Sequence, residues 1–164
     1  MLTQCRPATS QDFPAIGRML ELYQYELSDI WDQELNEAGE FEYDLSHHIK
    51  GKDSFAHVAR VNERFAGFAL VSPALLTRKE GLLMEQFFIL KKYRKSGVGR
   101  KLARHVFQFH PGAWEVGQLP ANYAAQAFWR NVIAEFTAGE FTEVQVTEGW
   151  WRGIVQRFNC ASAA

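Results

Sequence analysis

The chain has 164 residues, of which 47% are hydrophobic and 23% charged, with 18 basic against 19 acidic side chains. That length suits a single domain spanning residues 1–164, with apolar material enough for a core. Thirteen Phe, five Tyr and five Trp exclude intrinsic disorder, and a net charge of -1 excludes a polyelectrolyte built to coat nucleic acid.

Cys5 and Cys160 stand near opposite ends with no CxxC, so no disulfide framework is expected. His47, His48, His57, His105 and His110 form neither HExxH nor a Cys/His cluster, so no metal site is expected. The first residues lack the basic-then-apolar layout of a signal peptide. The most apolar stretch, 65–76, is broken by Gly67, Ser72 and Pro73 and is too short to span a bilayer. A cytoplasmic protein with no membrane partner is the expectation.

In chain order, residues 2–6 suit a first strand, and Thr9 followed by Asp12 suits a capping box. Phe13, Ile16, Leu20, Tyr23 and Leu27 then recur at helical spacing. Residues 28–50 are mixed and acidic, with a helix expected in pieces. Alternating residues 55–61 and 65–72 flank Asn62-Glu63, which predicts an antiparallel hairpin. Residues 82–90 suit a central strand, apolar on both sides near its end. Val98, Leu102, Val106 and Phe109 mark a helix that stops before Pro111-Gly112. A strand over 113–119 precedes a helix over 122–135 that buries Ala125, Phe128, Val132 and Ile133. Residues 141–146 and 150–158 close the chain as a hairpin. The order is β-α-α-β-β-β-α-β-α-β-β, a mixed sheet with helices against it.

The chemistry concentrates where the central strand runs through a basic loop into a helix: Phe87-Phe-Ile-Leu-Lys-Lys-Tyr-Arg-Lys-Ser-Gly-Val-Gly-Arg-Lys-Leu102. A helix start presents unpaired N–H groups and the positive end of its dipole, and glycines such as Gly97 and Gly99 allow a bulky anion close to the backbone. Seven of the 18 basic residues fall in 91–104, and no carboxylate lies between Glu85 and Glu115. The expectation is diphosphate binding; a solvated basic helix face is the plainer alternative. A Walker loop is absent, and a dinucleotide fingerprint fails because Leu102 takes the third glycine position.

Arg94-Lys-Ser-Gly97-Val-Gly99 fits the [RQ]xxGx[GA] signature of the GNAT superfamily of N-acetyltransferases, and the segment from Ile89 to Arg100 resembles that family's motif A. Asn122-Tyr-Ala-Ala125-Gln-Ala-Phe128-Trp129 resembles its NxxAxx[FL]Y helix. The element order is also the family's, so the resemblance covers nearly the whole chain. It implies an α/β (α+β) fold with a mixed, mostly antiparallel sheet, helices on both faces, and a splay at an acetyl-CoA cleft.

The resemblance further implies an acetyl-CoA donor, no metal, and direct attack of a primary amine on the thioester in a ternary complex. Carried over, the N–H groups from Lys95 through Ser96, Gly97, Val98 and Gly99 to Arg100 would cradle the diphosphate, with Arg94 beside it. Phe87, Phe88 and Ile89 would pair with the pantetheine arm as an extra strand, Asn122 would bond that arm from the other side, and Phe128 would line the cleft. Core packing is the alternative for the three Phe residues. Glu85 is the candidate base, acting directly or through water, or else an ion-paired carboxylate on the sheet face. Where the family often has a tyrosine acid, this chain has Trp129, whose indole cannot serve. A thiol pKa of ~8.5 makes unaided thiolate departure at neutral pH cost only about 2 kcal/mol, so an acid is helpful rather than obligatory.

Nine carboxylates and no Lys or Arg lie between Met19 and Ile49. With Tyr25, Glu26, Trp31 and Tyr43 they would suit a cationic amine, small-molecule or peptide, or they form a solvated acidic face. A catalytically idle CoA-binding module is the alternative function, kept open by Trp129. A nucleic-acid binder using 91–104 would need aromatic interleaving that is absent, so no nucleic-acid partner is expected. The closing strands, with Trp150, Trp151 and Phe158, either cover the core or meet a second copy in a homodimer.

Overall fold

Strand pairing follows the hydrophobic pattern. In the computed structural model, which describes residues 1–161, β1 (Thr3–Pro7), β2 (Phe55–Val61), β3 (Arg64–Ser72) and β4 (Leu82–Ile89) run side by side and antiparallel. With β5 (Gly112–Gln118), β6 (Phe141–Val146) and β7 (Gly153–Cys160) they form one seven-stranded sheet of order β1-β2-β3-β4-β5-β7-β6. The last three residues of the expected 1–164 domain lie outside the described residues. Asn62 and Glu63 both take positive φ, 47° and 66°, the type I′ geometry that suits a two-residue hairpin.

Four helices cover the sheet: α1 (Phe13–Leu27), α2 (Ser46–Lys50), α3 (Val98–Phe109) and α4 (Tyr123–Thr137). Alternate strand residues serve its two faces. Val58, Phe68 and Leu70 share one core with Ile16, Met19 and Leu20 of α1. Ala59, Ala69 and Val71 share the other with Val98, Leu102 and Val106 of α3 and Trp129, Val132 and Ile133 of α4. Arg6 and Asp12, 2.6 Å apart, tie β1 to the turn that opens α1; hydrogen bonds from Arg6 hold the Asp12 carboxyl down at about 2. No described helix is long and apolar enough to cross a membrane.

Three expectations need correction. Of 28–50, the only α-helix is α2, because local side chains capture the backbone. Asn36 Oδ1 accepts from Ala38 N and Glu40 N, Asp44 Oδ1 accepts from Ser46 N, and Glu42 sits at φ 62°. The last strand starts at Gly153, where pairing with Val146 begins, rather than at Trp150. Phe109 is 53% exposed at the end of α3 instead of facing the core, whereas Phe158 is buried in it.

The sheet also gathers histidines that sequence spacing keeps apart. His57 Nδ1 lies 3.0 Å from His105 Nε2, and His57 Nε2 lies 2.8 Å from His110 Nε2. These nitrogens bind one another, and no described group is arranged to hold a metal ion. Burial, then the neighbouring His110 and His105, drives His57 down from 6.5 to about 3. The unfolded chain takes up this proton below about pH 6.5 and the folded chain does not, so stability is full above that pH and falls toward pH 3. The expected slope is about 1.4 kcal/mol per pH unit for this proton. Urea unfolding between pH 7.5 and 5 checks it: His57→Gln should flatten the decline, and a wild-type midpoint unchanged over that range would contradict it.

β4 and β5 form the one parallel pair, and they meet only at Leu82↔Trp114 and Leu83↔Glu115. Beyond that point they separate, leaving β4 from Met84 to Ile89 unpaired on the β5 side.

Candidate active site

A cleft of about 1320 Å³ occupies this gap. Leu90 N–H donates to Ala66 O, and in an antiparallel pair the direction alternates, so Phe88 and Gln86 also face β3. Phe87 and Ile89 therefore turn their N–H and C=O toward the open side. A Cβ on Gly67 would collide with Phe88 O, consistent with that carbonyl pointing at β3. The bare edge can accept an extended chain as a strand.

At its end the chain turns into α3. Gly97, at φ 87°, is the N-cap, a conformation that favours glycine, and the space where its Cβ would be is open. Lys101 N–H makes the first bond of the helix, to Gly97 O, so the N–H groups of Val98, Gly99 and Arg100 precede any intrahelical partner. Gly99 has a second role: a Cβ there would lie 3.2 Å from the Phe128 ring. It lets α3 and α4 meet beside the cleft.

Among the described residues, the three arginines of the basic run are ion-paired and the four lysines are not. Arg94 donates to both carboxylate oxygens of Glu26, at 2.9 and 2.8 Å, and through Nε to Ile89 O at 2.7 Å. Arg100 and Arg104 share Glu135 of α4. Arg94, Lys95 and Arg100 still line the cleft, whereas Ser96 bonds back to Tyr93 O and the Val98 side chain is buried in the core.

Glu85 faces the cleft beside a β-bulge opposite Leu70 and Val71, which re-aims the strand. Its Oε2 accepts from the Tyr43 hydroxyl at 2.8 Å and lies 3.1 Å from His48 Nε2. That imidazole is close enough for an ion pair but is not aligned as a hydrogen bond, and neither ring nitrogen has a hydrogen-bond partner among the described residues. Burial pushes the Glu85 carboxyl up, but His48 and Tyr43 outweigh it and hold the group below the usual 4.5. Burial, then the Glu85 charge, raises the Tyr43 phenol far above 10, so it stays a donor. Glu85 is a fixed carboxylate at neutral pH.

Of the nine carboxylates in 19–49, only Glu26 lines the cleft, together with Trp31 and Tyr43; Tyr25 is 73% exposed and outside it. Asn122 lines the cleft and also caps α4, its Oδ1 accepting from Ala125 N at 3.3 Å. Phe128 lines the cleft and packs against Phe87. Trp129 is buried edge-on against Phe87 and Phe128, with ring centroids at 4.7 and 4.9 Å, while Tyr123 is 74% exposed at the start of α4.

Two features escape sequence reasoning because each depends on a partner more than 30 residues away. Trp151 forms cleft wall against two glycines: a Cβ on Gly117 would lie 3.0 Å from its ring and one on Gly153 2.7 Å. Glu115, fully buried on β5, accepts from Leu76 N at 3.0 Å, Thr77 N at 3.2 Å and the Thr77 hydroxyl, pinning the loop that carries Leu76 into the cleft. Arg157 Nε donates to Thr77 Oγ1 at 2.8 Å. Glu115→Ala strands these half-buried donors and should cost about 1–3 kcal/mol, read as a lowered thermal midpoint. An unchanged midpoint would show that the loop is held by other contacts.

Comparison with known proteins places this geometry. A family model described as Acetyltransferase (GNAT) family matches residues 16–132. The fold is similar to that of the ribosomal-protein-S18-alanine N-acetyltransferase from Escherichia coli, with a TM-score of 0.66, 15% identity, and coverage of 99% of this chain and 97% of that one. It is also similar to a GNAT-family acetyltransferase from Bacillus cereus, at TM-score 0.67 and 11% identity over 98% of this chain and 99% of the other. An aminoglycoside acetyltransferase from an uncultured soil metagenomic sample, in complex with sisomicin, gives TM-score 0.66 and 13% identity over 91% and 95%. No curated protein sequence matches the chain. The family match spans well over half of the sequence, and the chain belongs to the GNAT acetyltransferase family.

Proposed function

We propose that the chain is an acetyl-CoA-dependent N-acetyltransferase that passes an acetyl group to a primary amine in a ternary complex. The observation that carries this reading is the gap between β4 and β5, bare main chain on one side and free helix-start amides at its end. The two together fit an extended amide-bearing arm that ends in a diphosphate. The donor, when bound, supplies an acetyl thioester activated for attack by an amine.

Phe87 through its N–H and C=O, and Ile89 through its N–H, hold the arm, and Asn122 and Phe128 close on it from α4. The amides from Lys95 to Arg100 hold the diphosphate, with the Lys95 and Arg100 side chains adding charge. Arg94 acts from behind: fixed by Glu26 and Ile89 O, it braces the turn. Glu85 takes the proton from the amine, directly or through one water, and Tyr43 keeps its carboxylate aimed. The core packing of Trp129 leaves the departing sulfur to be protonated from solvent.

Calorimetry with acetyl-CoA, followed by thiol release across a panel of amines, tests the reading. Binding with turnover is expected. Tight binding with no thiol release from any amine would instead indicate a CoA-binding module without catalysis. The related folds acetylate acceptors as different as those named above, so fold alone does not select the amine.

A further inference from the structure

The acceptor half of the cleft has its own chemistry. Resting on the acetyltransferase reading above, we infer that its acceptor is a small primary amine carrying one positive charge on an apolar body of about ring size. Two carboxylates line the cleft, and one of them, Glu26, is neutralised by both arms of Arg94. That leaves Glu85 as the single anion for one ammonium. The remaining acidic residues of 19–49 lie outside the cleft, so the charge density of that segment does not reach the site. The cleft is lined by the aromatic and apolar side chains of Trp31, Tyr43, Leu76 and Trp151, of which Tyr43 touches Glu85, and by the neutral amides of Gln24, Gln33, Gln86 and Gln118.

This wall is built rather than incidental. Trp151 is seated on Gly117 and Gly153, and a side chain at either position would displace its ring. Leu76 is fixed by the buried Glu115 carboxylate. A flat apolar body gains from contact with such surfaces, while a polyamine or an aminosugar with several ammonium groups would bring charges that find no second free carboxylate in the cleft. An amine held there as its ammonium gives one proton to Glu85. It forms the N–C bond as the C–S bond breaks; its second proton is released to solvent, and solvent protonates the departing thiolate.

Binding tests this separately from turnover. With CoA present at saturation, 2-phenylethylamine should bind about tenfold or more tightly than spermidine or sisomicin, by calorimetry. Trp151→Ala should weaken 2-phenylethylamine about tenfold while leaving ethylamine and acetyl-CoA affinities unchanged. Trp31→Ala serves the same purpose should the first variant not fold. Tighter binding of spermidine or sisomicin would overturn the inference. So would tightest binding of a peptide amide beginning with Phe, which would assign the site to polypeptide N-termini. If 2-phenylethylamine binds as expected but no thiol is released, the inference about the pocket stands and the acetyltransferase reading fails.

Discussion

Replacing Gly97 and Gly99 together with valine should lower acetyl-CoA affinity by about 100-fold or more, the loss of roughly two charge-assisted hydrogen bonds. The two glycines act differently. At Gly97 there is room for a side chain, but the positive φ is hostile to a β-branched residue, so the turn must relax and the amides behind it lose their aim. At Gly99 the backbone is ordinary, but a Cβ meets Phe128, so α3 shifts or the ring swings into the cleft. Titration calorimetry on the double variant gives the affinity, with circular dichroism as the check on folding. A folded double variant that binds acetyl-CoA normally would remove the basis for placing the diphosphate at α3.

Glu85→Gln should reduce kcat by about 100- to 1,000-fold while leaving acetyl-CoA affinity intact, the size expected for loss of a positioned base. Its pH dependence is the sharper test. Because His48 and Tyr43 hold the carboxyl below 4.5, it is ionised throughout the working range, and the wild-type rise of kcat/KM with pH should follow deprotonation of the amine. Tyr43→Phe removes a donor to the carboxylate, so the Glu85 pKa should rise and the acid limb of the profile should move to higher pH. A Glu85→Gln variant with full activity would reduce Glu85 to an anchor for Tyr43 and His48.

The parts legible in the sequence are those written in short range. The 55–72 hairpin, the strand–loop–helix around Gly97 and the amphipathic α3 each depend on residues within about 16 positions, where periodicity and turn chemistry act directly. What stayed hidden depends on partners brought together only by the sheet. The Arg94–Glu26 clasp spans 68 residues, the Glu115 anchor nearly 40, and the His57 cluster about 50. Of the nine carboxylates in the acidic segment only Glu26 faces the cleft, and counting carboxylates cannot tell a residue facing the cleft from one facing water. Trp129 was legible as a departure from the family pattern, but its burial between Phe87 and Phe128 required the packed core.

The two-residue ladder between β4 and β5 also has a mechanical consequence. It makes the sheet two antiparallel leaves joined at a short seam, with the histidine-bearing leaf on one side and β5, β7 and β6 on the other. A ligand lying along the unpaired edge would stitch those leaves together, so occupancy and rigidity of the whole body become one equilibrium.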